Sequence, residues 1–124
     1  MELSEHRNNH PNTIQSADAS HCSIGGTKHQ STIAIPSYDE TYAVDIKSID
    51  ELDDDTVERL CQGQPEVLII ATGDQIEFPS TAVLDPLVKR HIGLEILDNQ
   101  AAARTFNVLL GEDRKAICLM IIAA

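Results

Sequence analysis

The chain has 124 residues and a mass of 13.6 kDa, with 42% hydrophobic and 23% charged residues, which suits one compact core and leaves little for a second. Its 20 acidic and 9 basic residues give a formal charge of −11, which repels phosphate backbones and anionic lipid and disfavours nucleic acid as a partner. No apolar run approaches the roughly 18 residues of a membrane span, and aromatics at 3% with no Trp argue against a base-stacking platform.

Residues 1–21 are rich in Asn, His, Ser and Gln with few apolar positions, and they read as a mobile tail ahead of a single domain over 22–124. Glu2 and Glu5 against Arg7 match neither a secretory signal nor a mitochondrial transit peptide. Cys22, Cys61 and Cys118 are an odd number at wide spacing, with no CxxC, so the expected home is a reducing cytoplasm.

A short strand is expected around Cys22–Ile24 with Gly25-Gly26 as its turn, then strands at Ser31–Ile35 and Tyr42–Ile46, separated by turn residues from Pro36 to Glu40. Asp53–Asp55 open a helix through about Cys61, with Asp55 and Glu58 at capping-box spacing and Gly63 and Pro65 as stops. Val67–Ala71 is a continuous apolar run, as in a strand covered on both faces. A turn at Thr72-Gly73-Asp74 leads to a short extended Ile76–Phe78.

Ser80 can cap a helix through about Arg90, which either kinks at Pro86 or begins at Asp85-Pro86. Gly93 ends it and Leu94–Leu97 is a strand. Asp98 or Asn99 caps a helix through Leu110 that Gly111 closes, and Ala116–Ile122 is a last buried strand. Strands alternating with helices imply parallel crossovers, hence an α/β domain with a central, largely parallel sheet. The predicted core is Leu68, Ile70, Leu84, Leu87, Ile96, Phe106, Leu109, Cys118 and Met120.

Ligands of open α/β sheets sit beyond the carboxyl ends of the strands. That places a candidate site at Thr72, Gly73 and Asp74, joined by Asp98, Arg104 and Asn107 from the following helix. Thr72 and Gly73 offer backbone N–H groups, Arg104 a bidentate donor for an anion, Asn107 an orienting amide, and Asp74 or Asp98 a base. No nucleotide fingerprint supports the position, so the competing expectation is a tight turn, with Arg104 paired to Asp74, Asp98 or backbone carbonyls at the edge. His6, His10, His21 and His29, with Cys22, match no compact zinc spacing, and no metal or other cofactor is expected. Cys61 and Cys118 read as packing residues, and the acidic stretch Asp50–Glu58 as a solvated helix start. No nucleophile–base pair stands out, so whether the chain is an enzyme stays open.

Two blocks carry a family resemblance that covers about residues 24–122 and is strongest from Pro65. Ala71-Thr72-Gly73 is similar to a Gly-Thr-Gly motif, and Ala102-Ala103-Arg104-Thr105-Phe106-Asn107 to Ala-Cys-Arg-Thr-Tyr-Asn. Both motifs belong to a family of small α/β domains, largely of unknown function. It includes mitochondrial complex I (NADH dehydrogenase) assembly factor three and uncharacterised bacterial and archaeal proteins. This chain has Ala71, Ala103 and Phe106 where that pattern has glycine, cysteine and tyrosine, so thiol or phenol chemistry does not carry over. The resemblance implies a three-layer fold around a mixed sheet and a non-enzymatic assembly factor with a protein partner, with a homo-oligomer as one option. A binder or enzyme for a small anionic ligand at the sheet edge is the alternative.

Overall fold

A computed structural model of the chain describes residues 10–123. Among the described residues, eight strands form two sheets. β1 (Ile14–Ala17), β2 (Cys22–Ile24) and β3 (Thr27–His29) make an antiparallel three-stranded sheet. β4 (Ile33–Pro36), β5 (Tyr42–Ala43), β6 (Val67–Ala71), β7 (Gly93–Leu97) and β8 (Ala116–Met120) make the main sheet, in the order β5-β4-β8-β6-β7. Three α-helices complete the fold: α1 (Asp54–Leu60), α2 (Asp85–Arg90) and α3 (Asn99–Gly111). The fold class is mixed α/β.

The alternation of side chains along each strand builds two separate apolar clusters. On β6, Ile69 and Ala71 join one cluster while Leu68 and Ile70 join the other; on β8, Ala116, Cys118 and Met120 divide from Ile117 and Leu119 in the same way. The first cluster is closed by α3, through Ala102, Phe106 and Leu109, and by Ile14, Cys22 and Ile24 of the small sheet. The second is closed by Val57 and Leu60 of α1 and Leu87 of α2. This double covering explains why VLIIA and AICLM are apolar without interruption. Of the predicted core, Leu84 and Ile96 are only half-buried at its rim, and the other seven residues are buried.

Helix limits follow local chemistry. Asp53, the first of the three carboxylates expected at this helix start, caps α1 by accepting from the Thr56 N–H at 2.8 Å. Pro86 sits in the first turn of α2, where its missing N–H costs nothing, and a 3₁₀ turn over Thr81–Leu84 precedes it. Asp98 caps α3 through the Ala101 N–H at 2.8 Å.

Four expectations change. The sheet is not largely parallel: β6 pairs β7 and β8 in parallel, whereas β4 pairs β5 and β8 antiparallel. Tyr42–Ile46 gives only a two-residue strand, because the Ile46 N–H turns back to the Val44 carbonyl. Ile76–Phe78 joins no sheet. The boundary at residue 21 falls inside the small sheet, since β1 pairs with β2 and buries Ile14 and Ala17; residues 1–9, His6 among them, lie outside the described residues. β1 has too few apolar residues to order itself, and its burial is supplied by α3 and β2. Gly25 and Gly26 both have positive φ, as a two-residue hairpin turn between twisted strands requires.

The β1–β2 connection is built on Asp18, whose Oδ1 accepts from the Ser20 and His21 N–H groups, the Ser20 hydroxyl and His21 Nδ1. The Ser20 backbone N–H does most to hold this carboxyl down at about 2; burial opposes it as the next-largest effect, and the Ser20 and His21 side chains add to the lowering. A depressed folded-state value means the connection gains from this group above the ordinary carboxylate range and loses it as pH falls through about 2. Titration followed by NMR should therefore show the Asp18 carboxyl changing near pH 2, with His21 and Ser20 amides moving alongside; a midpoint near 4 would mean the turn does not form. In the core, Ile70→Ala should cost about 2–5 kcal/mol in urea unfolding, and a loss below about 0.5 kcal/mol would contradict its burial.

Candidate functional site

The chain leaves β6 for α2 on one face of the sheet and leaves β7 for α3 on the other. The gap beyond the ends of β6 and β7 is thus the topological switch point where α/β sheets usually bind ligands. Here it is filled by the protein itself. The Thr72 N–H donates to the Leu97 carbonyl at 3.0 Å, joining the two strand ends. The Thr72 hydroxyl donates to the Gln75 carbonyl at 2.6 Å and accepts from the Glu77 N–H at 3.1 Å, which folds the following loop onto itself. Gly73 has φ +97°, a value that an L-residue adopts only with strain, so this glycine is required by the turn.

Asn99, the first residue of α3, closes the gap. Its Oδ1 accepts from the Gly73 N–H at 2.8 Å and its own N–H donates to the Gly73 carbonyl at 2.8 Å. Its Nδ2 donates to the Ile121 carbonyl at 3.0 Å and the Asp18 carbonyl at 2.9 Å. The side chain is 1% exposed and fully satisfied. One amide therefore ties together the β6 turn, the segment after β8 and the β1–β2 connection. In the sequence it stood only as an alternative cap to Asp98, because its partners at 18, 73 and 121 are distant in the chain.

The six candidate residues do not form one pocket. Thr72 and Gly73 are engaged in the turn and Asp98 in its cap. Asn107 faces β1 instead, where Oδ1 accepts from the Ile14 N–H and Nδ2 donates to the Ile14 carbonyl, both at 2.9 Å. This two-way bond replaces a neighbouring strand for Ile14. Asp74 is exposed, and neither its side chain nor that of Arg104 has a hydrogen bond or ion pair among the described residues.

The expected pairing of Arg104 with Asp74 or Asp98 is therefore corrected. Arg104 lies five residues into α3, roughly 7 Å along its axis, on the solvent stripe with Gln100 and Val108. Asp98 has already turned its carboxylate to the helix start.

The remaining reactive groups are no more available. Cys22, Cys61 and Cys118 are all free and buried; burial pushes the Cys22 thiol up to about 12 and raises Cys61 and Cys118 as well. Among the described residues no cluster of His, Cys, Asp and Glu has the geometry of a metal site; His21 is bonded to Asp18.

Asn99→Ala should lower stability by at least about 2 kcal/mol, since it leaves buried backbone groups of three segments without partners. A loss below about 0.5 kcal/mol in urea unfolding would show that the clasp does not form. Asn107→Ala should speed amide exchange at Ile14 well before the core strands open, and unchanged exchange there would refute its role in seating β1.

A profile of a family described as protein of unknown function (DUF498/DUF598) matches residues 14–121. In Danio rerio the chain is similar to "NADH dehydrogenase [ubiquinone] 1 alpha subcomplex assembly factor 3", 40% identical over 62 residues, or 50% of this chain and 36% of that protein. The chain spans less than half the length of the curated relatives it matches. Among solved structures, an NMR structure from Xanthomonas campestris superposes with a TM-score of 0.81 at 31% identity, covering 89% of this chain and 83% of that one. A Bordetella pertussis protein described as a Mth938-like domain has a TM-score of 0.81 at 18% identity, covering 94% and 89%, and shares the fold. The match along nearly all of the described core makes the chain a member of the DUF498/DUF598 family of proteins of unknown function.

Proposed function

We propose that this chain is a non-enzymatic protein-interaction or assembly domain. The observation that carries the proposal is where exposed apolar surface lies. Of five large hydrophobic residues exposed among those described, three fall in the segment between β6 and the middle of α2: Ile76 at 49%, Phe78 at 75% and Val88 at 71%. Four of the six groups that would make the nearby sheet edge a ligand site, Thr72, Gly73, Asp98 and Asn107, are engaged in holding turns and strands. Apolar side chains exposed among polar residues suit a protein partner. The assembly-factor name of the Danio rerio relative points the same way.

In this reading the domain is a three-layer scaffold. Its sheet carries α1 and α2 on one face, and α3 with the small sheet on the other. Its free, buried cysteines suit a reducing, cytoplasmic setting. The partner is a protein or a second copy of the chain. Neither nucleic acid nor membrane insertion enters this reading; no described helix is long and apolar enough to cross a membrane, and the charge of −11 disfavours phosphate backbones. The alternative, a small-anion site at the sheet edge, keeps only Arg104 and Asp74 as unengaged groups, and Asp74 would repel its ligand.

Phe78→Asp and Val88→Glu separate the two roles of these side chains. Each should leave stability within about 0.5 kcal/mol, as for surface substitutions, while abolishing self-association in light scattering or capture of a partner by the wild-type domain. A strictly monomeric protein that captures nothing reproducibly, or capture unaffected by both substitutions, would refute the proposal. Arg104→Ala should also leave stability within about 0.5 kcal/mol; a loss of about 3 kcal/mol or more would mean that its guanidinium is buried and paired.

A further inference from the structure

The opposite edge of the main sheet, where β4 ends and β8 begins, holds a cavity of about 290 Å³ between β4, α1 and the loop that follows α1. Its buried walls include Leu60, Pro65 and Ile117, with the hydroxyl-bearing Ser37 beside them. Two cations line it, Arg59 and Lys115. In a chain with 20 acids and 9 bases, neither side chain forms an ion pair among the described residues, and only the Lys115 backbone N–H donates to a carboxylate, that of Glu66. Arg90 and Arg114, by contrast, are each paired, with Glu58 and Glu66. Arg59 is positioned without using its hydrogen-bond donors: its guanidinium carbon stands 4.2 Å from the centre of the Tyr42 ring, which also lines the cavity. Its N–H groups remain free for a ligand.

We infer that this cavity binds a small monocarboxylate carried on an aromatic or branched apolar body. The carboxylate meets Arg59 and Lys115, and the apolar body displaces water from Leu60, Pro65 and Ile117. The volume admits a body about the size of a phenyl ring with a short chain. Asp39 also lines the cavity, and together with the chain's net negative charge it disfavours a dianion such as phosphate. The inference is independent of the interaction surface at residues 76–88, which lies beyond the other end of the sheet.

The test is a titration of the full chain with 3-phenylpropionate, followed by amide NMR. Saturable shifts should centre on Ser37, Gly63 and Ile117. The double variant Arg59→Gln/Lys115→Gln should weaken binding at least tenfold, about the loss of one charge-assisted hydrogen bond, with the remaining spectrum unchanged. Arg104→Gln should bind as the wild type does. The neutral analogue 3-phenylpropanol and inorganic phosphate should each bind at least tenfold more weakly than the carboxylate. Absence of saturation, shifts centred elsewhere, affinity retained by the double variant, or equal binding of either control overturns the inference.

Discussion

The architecture depends on satisfying the backbone at both ends of β8. This strand lies at the middle of the main sheet, with an antiparallel neighbour on one side and a parallel one on the other. The ladder serves its centre, but its ends emerge between layers where water is excluded and an unpaired peptide group is costly. The buried polar side chains of the described residues are Thr32, Ser37 and Asn99, and all three act there. Ser37 accepts from the Ala116 N–H at 2.8 Å, Thr32 accepts from the Ile122 N–H at 3.0 Å, and Asn99 donates to the Ile121 carbonyl at 3.0 Å. No buried side-chain polar atom among the described residues is left without a partner.

Asn99 extends this constraint beyond the main sheet. Because it also holds Gly73 and Asp18, the order of the β1–β2 connection is coupled to the turn after β6. Asn107, two helical turns further along α3, seats Ile14 on the same helix. The small sheet is thus attached by two amides as well as by Ile14, Cys22 and Ile24 in the core. α3 therefore serves as the joint between two sheets that share no strand.

The two ends of the main sheet present different surfaces. At the carboxyl end of β6, Thr72 and Gly73 are engaged in holding the chain, and the exposed loop that follows carries Ile76 and Phe78 among polar residues. At the other end of the sheet, two cations whose side chains form no ion pair among the described residues line a partly apolar cavity. The positions that carry the family resemblance follow the same division. Thr72, Gly73 and Asn107 hold backbone, Ala102, Ala103 and Phe106 fill the core, and Arg104 alone of these faces water unengaged.

The strands β6 and β8 and the helix α3 were legible in the sequence because their signals are local: uninterrupted apolar runs, a capping Asp98, and a core stripe through Ala102, Phe106 and Leu109. Pro86 likewise marked the start of α2 by its own geometry. β1 was not legible, since its sequence is polar and its burial comes from α3, some ninety residues away. Nor was the antiparallel half of the main sheet, because the pairing of β4 with β8 joins segments from opposite ends of the chain. The candidate residues at 72, 73, 98 and 107 had the right chemistry for a ligand, but their hydrogen bonds go to backbone groups that only folding brings within reach. Sequence alone determined the three α-helices and the apolar strands of the main sheet, since backbone preference and apolar period act over a few residues. Tertiary structure decided which polar groups are left to act, because that depends on partners far away in the chain.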